Sequence, residues 1–292
     1  MDRKPFNWRE FLILWAAGVL GVVALLPYTL TLQAPILENM PPLPIPLAAL
    51  IAIQIGQNAV LIAIAVGLGL LLARRVGLGA PLLEARLARE AVGQRLRAIL
   101  TPSIPSLMLR ASLAGAAAAV VIILLDLVVF APGMPLVAPA EVNPPAWQGL
   151  LASLYGGITE ELFMRLFLMS LLAWLLGLVW RRGQAQGIAP TSGQPADGAF
   201  WTANLGAAVL FGLGHLPTTA TLVPLTGLVV LRAVVLNGTV GVVSGHLYWK
   251  RGLEAAMLAH FSADIVLHVL LPLVLGLGSV ISGQSMSVTG NV

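Results

Sequence analysis

Residues 147–180 read WQGLLASLYGGITEELFMRLFLMSLLAWLLGLVW. The stretch is apolar at both ends, with the polar cluster Thr159-Glu160-Glu161-Leu162-Phe163-Met164-Arg165 at its centre. A helix crossing the hydrocarbon core of a bilayer needs about 20 apolar residues. At 1.5 Å per residue this one would run about 51 Å. It must therefore tilt, protrude or break, and Gly156-Gly157 is the expected weak point.

Six more segments are long and apolar enough to span: 11–31, 46–73, 111–131, 200–216, 222–248 and 253–276. The expected fold is an all-α polytopic transmembrane helix bundle of about seven spans, or eight if the fourth divides at its glycines. Composition agrees. Of the 292 residues 58% are apolar and only 10% charged, against roughly 25% charged in a soluble domain. Disorder needs the opposite balance. The absence of cysteine excludes disulfide scaffolds, thiolate metal sites and a cysteine nucleophile. The net charge of +4 on so apolar a chain gives no reason to expect nucleic acid.

Lysine and arginine orient the bundle. With seven spans, 14 of the 16 fall on one side, in the N-terminal segment, in 74–110, at Arg181 and Arg182, and at Lys250 and Arg251. The opposite loops hold none. The positive-inside rule then predicts a cytoplasmic N-terminus and an outside C-terminus, and the first span reads as an uncleaved signal anchor. In the longest cytoplasmic loop, Ala85, Ala88, Val92, Leu96 and Ile99 form an apolar stripe at helical spacing. It predicts an amphipathic surface helix, with Arg89 and Arg95 reaching headgroups. The expected organisation is three N-terminal helices with this loop over 1–146, a catalytic helix core over 147–276, and a short tail over 277–292.

Ionisable side chains within spans are expensive and are functional candidates by default. Here they are Asp126, Glu160, Glu161, Arg165, Arg232 and Asp264, with His215, His246, His260 and His268. On a helix Glu161 and Arg165 share a face, so Glu161 neutralises the arginine. Glu160, about 100° round, is left to face a cavity. His260 and Asp264 also share a face, where a carboxylate fixes an imidazole tautomer, helps hold a metal or flanks an oxyanion site. Asp126 and Arg232 read either as an ion pair between the third and sixth spans or as part of a conduction path. No His-Glu-x-x-His, Gly-x-Gly-Asp or Gly-x-Ser-x-Gly motif occurs, which removes the usual zinc, aspartyl and serine signatures.

Three blocks in order, Glu160-Glu161 with Arg165, Phe211 with His215, and His260 with Asp264, resemble the CAAX-protease and bacteriocin-processing family of intramembrane proteases. That family includes the Ras-converting and abortive-infection-like types. The resemblance covers about 147–270, and the Gly-rich stretch Leu236 to Trp249 adds to it. It implies an intramembrane endopeptidase acting on a peptide or membrane-protein substrate. The ratio of 14 arginines to 2 lysines points to a GC-rich bacterial genome, and the expected location is a bacterial inner membrane. The resemblance also implies that Glu160 activates water with help from His215. His260 and Asp264 would polarise the peptide carbonyl, and Glu161 and Arg165 would hold the site together. Asp264 stands where many members carry Asn, which leaves open whether a divalent metal such as zinc, held by Glu160, His215, His260 and Asp264, takes part. The alternative reading is a non-catalytic membrane protein, transporter-like or partner-binding, with a structural polar cluster. Depth is the test. Straight helices counted from the cytoplasmic cations put His260 about 10 Å in and Glu160 about 30 Å in.

Overall fold

The computed structural model describes residues 6–39, 44–88, 104–134, 144–185 and 196–282. Among the described residues, seven helices are long and apolar enough to cross a membrane: Trp8–Glu38, Leu47–Val76, Ile104–Gly133, Ala146–Val179, Asp197–Leu222, Gly227–Arg251 and Leu253–Gly276. No strand occurs among the described residues. The chain is an integral membrane protein with a polytopic all-α fold of seven spans; the fourth does not divide.

Most spans outrun their apolar cores. The Asn7 side chain accepts from the Glu10 amide at the start of the first, as an N-cap does. Gly77, at φ 76°, closes the second in the left-handed conformation that suits glycine. Gly252, at φ 97°, turns the chain from the sixth span into the seventh. Pro217 does not lie in a loop as its position suggests. It sits in the first turn of helix Leu216–Leu222, where a missing N–H costs nothing, and the fifth span runs on to Leu222. Of the expected surface helix, Ala85 and Arg86 belong to the short helix Pro81–Leu87, which ends at Ala88. The rest of the stripe lies outside the described residues.

The depth conflict is resolved within the fourth span. Gly156 and Gly157 do not break it. The helix widens instead into π-helical turns over Tyr155–Glu160 and Leu162–Met169, then resumes α-helical form over Ser170–Ala185. Ser170 Oγ lies 2.8 Å from the hydroxyl of Tyr248, near the cation-bearing end of the sixth span. Trp174 lies under the Arg75 guanidinium, 5.5 Å from it, at the same end of the second span. Ser170 and Trp174 thus lie level with the cation-bearing ends of the sixth and second spans, and the helix continues to Ala185, about 16 Å beyond Trp174 at 1.5 Å per residue. Glu160 is brought to the depth of His260 by this protrusion.

The seventh span is gripped by glycines. A Cβ at Gly115 of the third span would collide with the Ala259 carbonyl. One at Gly149 of the fourth would strike the His268 carbonyl, and one at Gly157 would sit 2.7 Å from Phe261 Cβ. Small residues at crossings let helix backbones touch, which drives association where lipid offers no hydrophobic contrast.

Among the described residues, ion pairs also form away from this crossing, two of them at shielded side chains. Glu10 is buried and accepts from Arg74 at 2.9 Å. A span read as starting at residue 11 leaves Glu10 among the flanking charges and misses the pair. Arg232 grips Asp126 through two parallel hydrogen bonds, Nε to Oδ1 at 2.6 Å and Nη2 to Oδ2 at 2.8 Å. Of the two readings of those residues, the ion pair between third and sixth spans is the one formed.

Candidate active site

Four spans bring their motif residues to one place. The fourth supplies Glu160, Glu161 and Arg165, the fifth Phe211 and His215, the sixth the Gly241 carbonyl, and the seventh His260 and Asp264. Glu161, Arg165 and His260 are 0%, 1% and 3% exposed, and Asp264 9%. The Glu160 and His215 side chains are 20% and 34% exposed. The site is therefore closed behind and open on the face formed by Glu160 and His215.

Glu160 lies between two imidazoles. Its Oε1 is 4.0 Å from His215 Nε2, and its Oε2 is 3.6 Å from His260 Nε2. Asp264 Oδ1 stands 3.7 Å from the same His260 nitrogen. These spacings exceed direct hydrogen-bond lengths. The opposite ring nitrogens are committed. His215 Nδ1 lies 2.9 Å from the Phe211 carbonyl, which can only accept, so Nδ1 carries a proton and the neutral form of the ring would present its Nε2 lone pair toward Glu160. His260 Nδ1 lies 2.7 Å from Glu161 Oε1. As a donor to that carboxylate, it leaves Nε2 facing Glu160 and Asp264.

Spacing along the chain pairs His260 with Asp264, yet the short bond goes to Glu161 on another span. No i, i+4 rule reveals a contact between helices. Glu161 does share a face with Arg165, at 3.3 Å, so one buried carboxylate serves both cation and imidazole. The glutamate–arginine contact is one of charge, since neither Glu161 Oε2 nor Arg165 Nε makes an aligned hydrogen bond. Arg165 is fixed further by donating Nη2 to the Gly241 carbonyl at 3.0 Å and by lying 5.3 Å from the Phe211 ring. Phe211 also sets its ring edge-on to His215 at 4.7 Å and to His260 at 5.5 Å. A single aromatic ring thereby positions three polar side chains.

Gly156 is the residue that sequence reading treats only as a weak point. A Cβ there would collide with Asp264 Oδ2 and come within 3.3 Å of His260 Nε2. Thr159, next to Glu160, is tied back to the first span by donating to the Gly18 carbonyl at 2.9 Å. His246 and His268 stay apart from the motif residues. His246 stacks on Trp201, with centroids 5.4 Å apart, and His268 meets Tyr28 edge-on at 5.8 Å.

Two histidines and two carboxylates are a donor set that zinc accepts. Among the described residues, however, no three histidine, aspartate or glutamate side chains are arranged to hold a metal ion.

Residues 142–266 match the family described as Type II CAAX prenyl endopeptidase Rce1-like. The resemblance read from the three motifs therefore holds over that segment, which contains every one of them. No curated protein and no solved structure matches the chain. The matched description is that of a protease family acting on peptides.

Proposed function

We propose that this protein is an intramembrane endopeptidase in which Glu160 is the general base toward a hydrolytic water. The observation that carries the reading is the position of Glu160 between His215 Nε2 and His260 Nε2. A water donating to two acceptors at about 2.8 Å each spans about 4.4 Å between them, close to the 4.0 Å separating Glu160 Oε1 from His215 Nε2. Bound there, it has both protons engaged and a lone pair free for the scissile carbonyl.

Glu160 takes one water proton as the oxygen attacks the carbonyl carbon, and returns it to the leaving amine. Positioned general bases contribute about 10²–10⁴-fold. With Nδ1 committed to Glu161, His260 offers only Nε2 to the substrate. As imidazolium it donates to the developing oxyanion, and such donors are worth about 10²–10³-fold. Asp264 stabilises that imidazolium. Glu161 and Arg165 are positioning residues that act through His260. The family description points to a prenylated C-terminal peptide as substrate. The cation asymmetry supports a cytoplasmic N-terminus, and a bacterial inner membrane is the proposed location.

The test is peptide cleavage in reconstituted membranes, across a library that includes prenylated C-terminal peptides. Glu160→Gln and His215→Ala are each expected to lower cleavage by at least 100-fold while expression and folding persist. Cleavage at the wild-type rate by both variants overturns the assignment.

A further inference from the structure

Hydrolysis at membrane depth needs an extended substrate. Each unwound residue leaves main-chain oxygens without helical partners, and lipid supplies none. Donors near the site that the chain does not use for itself are therefore candidates to receive them. Two side chains outside the matched segment qualify. Tyr28 of the first span and His268 of the seventh meet edge-on, with ring centroids 5.8 Å apart. Both are half-buried, and among the described residues neither makes a hydrogen bond.

Their placement is specified by close packing on both sides. Gly18 and Gly21 of the first span contact the fourth span, Gly21 lying against Thr159 and Tyr155. Tyr28 follows Gly21 by seven residues and shares its face. His268 is held by Gly149, which abuts its backbone. It lies on the same span as His260 and Asp264, about two turns and one turn beyond them respectively. Both rings lie within electrostatic range of the site: Tyr28 of Asp264, and His268 of His260 and His215. Eight residues separate His260 from His268, roughly 10–12 Å along a helix. An extended peptide covers that distance in about three residues at 3.3 Å each.

We propose that Tyr28 and His268 form a binding subsite for an acceptor oxygen of the extended substrate, about three residues from the scissile bond. The first span thereby belongs to the substrate site. The proposal rests on the endopeptidase reading for its geometry, but it is read out by binding. The oxygen is either a main-chain carbonyl or a terminal carboxylate, since a peptide cleaved three residues from its end places the carboxylate there.

The experiment uses the full chain in lipid nanodiscs and a fluorescent farnesyl-cysteine peptide ending in an Ala-Ala-X tripeptide. Three forms of the peptide are compared: free acid, C-terminal amide, and one shortened by its last two residues. Tyr28→Phe and His268→Phe keep the edge-on ring contact and remove the donors. Each is expected to raise the Kd for the free acid roughly three- to tenfold and to leave the Kd of the shortened peptide unaltered. A penalty confined to the free acid identifies a carboxylate, and an equal penalty for acid and amide identifies a carbonyl. Wild-type Kd values in both variants, the same loss for full and shortened peptides, or no peptide binding by the wild type overturns the subsite. Peptide that binds with these shifts but is never cleaved overturns the hydrolytic reading and leaves the subsite standing.

Discussion

His260 Nδ1 lies 2.7 Å from Glu161 Oε1, and the other oxygen of that carboxylate lies 3.3 Å from Arg165 Nε. One buried glutamate thus ties the imidazole of the seventh span to the guanidinium of the fourth. Removing one partner of a buried pair typically costs about 3–5 kcal/mol. Glu161→Leu is expected to lose about that much stability, measured by unfolding in mixed micelles. The double variant Glu161→Leu with Arg165→Met should recover most of it without recovering cleavage, because His260 has lost its acceptor. Full activity in the double variant would remove the positioning role.

Gly156 faces the Asp264 carboxylate and His260 Nε2 without room for a methyl group. Gly156→Ala is expected to lower kcat at least tenfold while the fold persists, since the seventh span is also held by Gly115, Gly149 and Gly157. Gly198, where a Cβ meets nothing within 4 Å, is the control, and Gly198→Ala should be silent. Equal kcat in the two variants contradicts the geometry.

The Asp126–Arg232 pair joins the third and sixth spans away from the motif residues. Its side chains are only 14% and 12% exposed. Asp126→Asn leaves the arginine short of its counter-charge and is expected to cost about 3 kcal/mol with cleavage per folded molecule unchanged. The charge swap Asp126→Arg with Arg232→Asp should return part of that loss. Altered ion flux through liposomes carrying Asp126→Asn would instead revive a conduction role.

The base proposed here is a carboxylate of the chain itself. Cleavage is therefore expected to survive exhaustive dialysis against a chelator, with metal content followed by elemental analysis. Activity lost on dialysis and restored by zinc alone would transfer water activation to a metal.

Much of this was legible in the sequence, for identifiable reasons. The spans stand out because bilayer crossing demands about 20 apolar residues, and so few charges remain that Glu160, His215, His260 and Asp264 are conspicuous. Span ends such as Trp8 and Leu222 are not, since a cap at Asn7 and a further turn after His215 carry those helices beyond their apolar runs. The convergence of Glu160 with His260 is hidden as well. It depends on π-helical turns and on a fourth helix that runs past the cation-bearing ends of its neighbours, and neither has a motif that marks it in the sequence. The bond from Glu161 to His260 crosses between spans and has no spacing signature. Gly156 looks like a flaw in a helix, and its role appears only once Asp264 is seen opposite.

The protrusion of the fourth helix has a consequence for the lipid around it. A span trimmed to the bilayer must tilt, or deform its surroundings, when the membrane thickens or thins. Here the levels of Ser170 and Trp174 are set by Tyr248 and Arg75 on neighbouring helices, and the turns beyond Trp174 form an overhang that lipid can cover or uncover. If hydrophobic mismatch is taken up there, Glu160 keeps its distance from the neighbouring helix ends in thick and thin membranes alike.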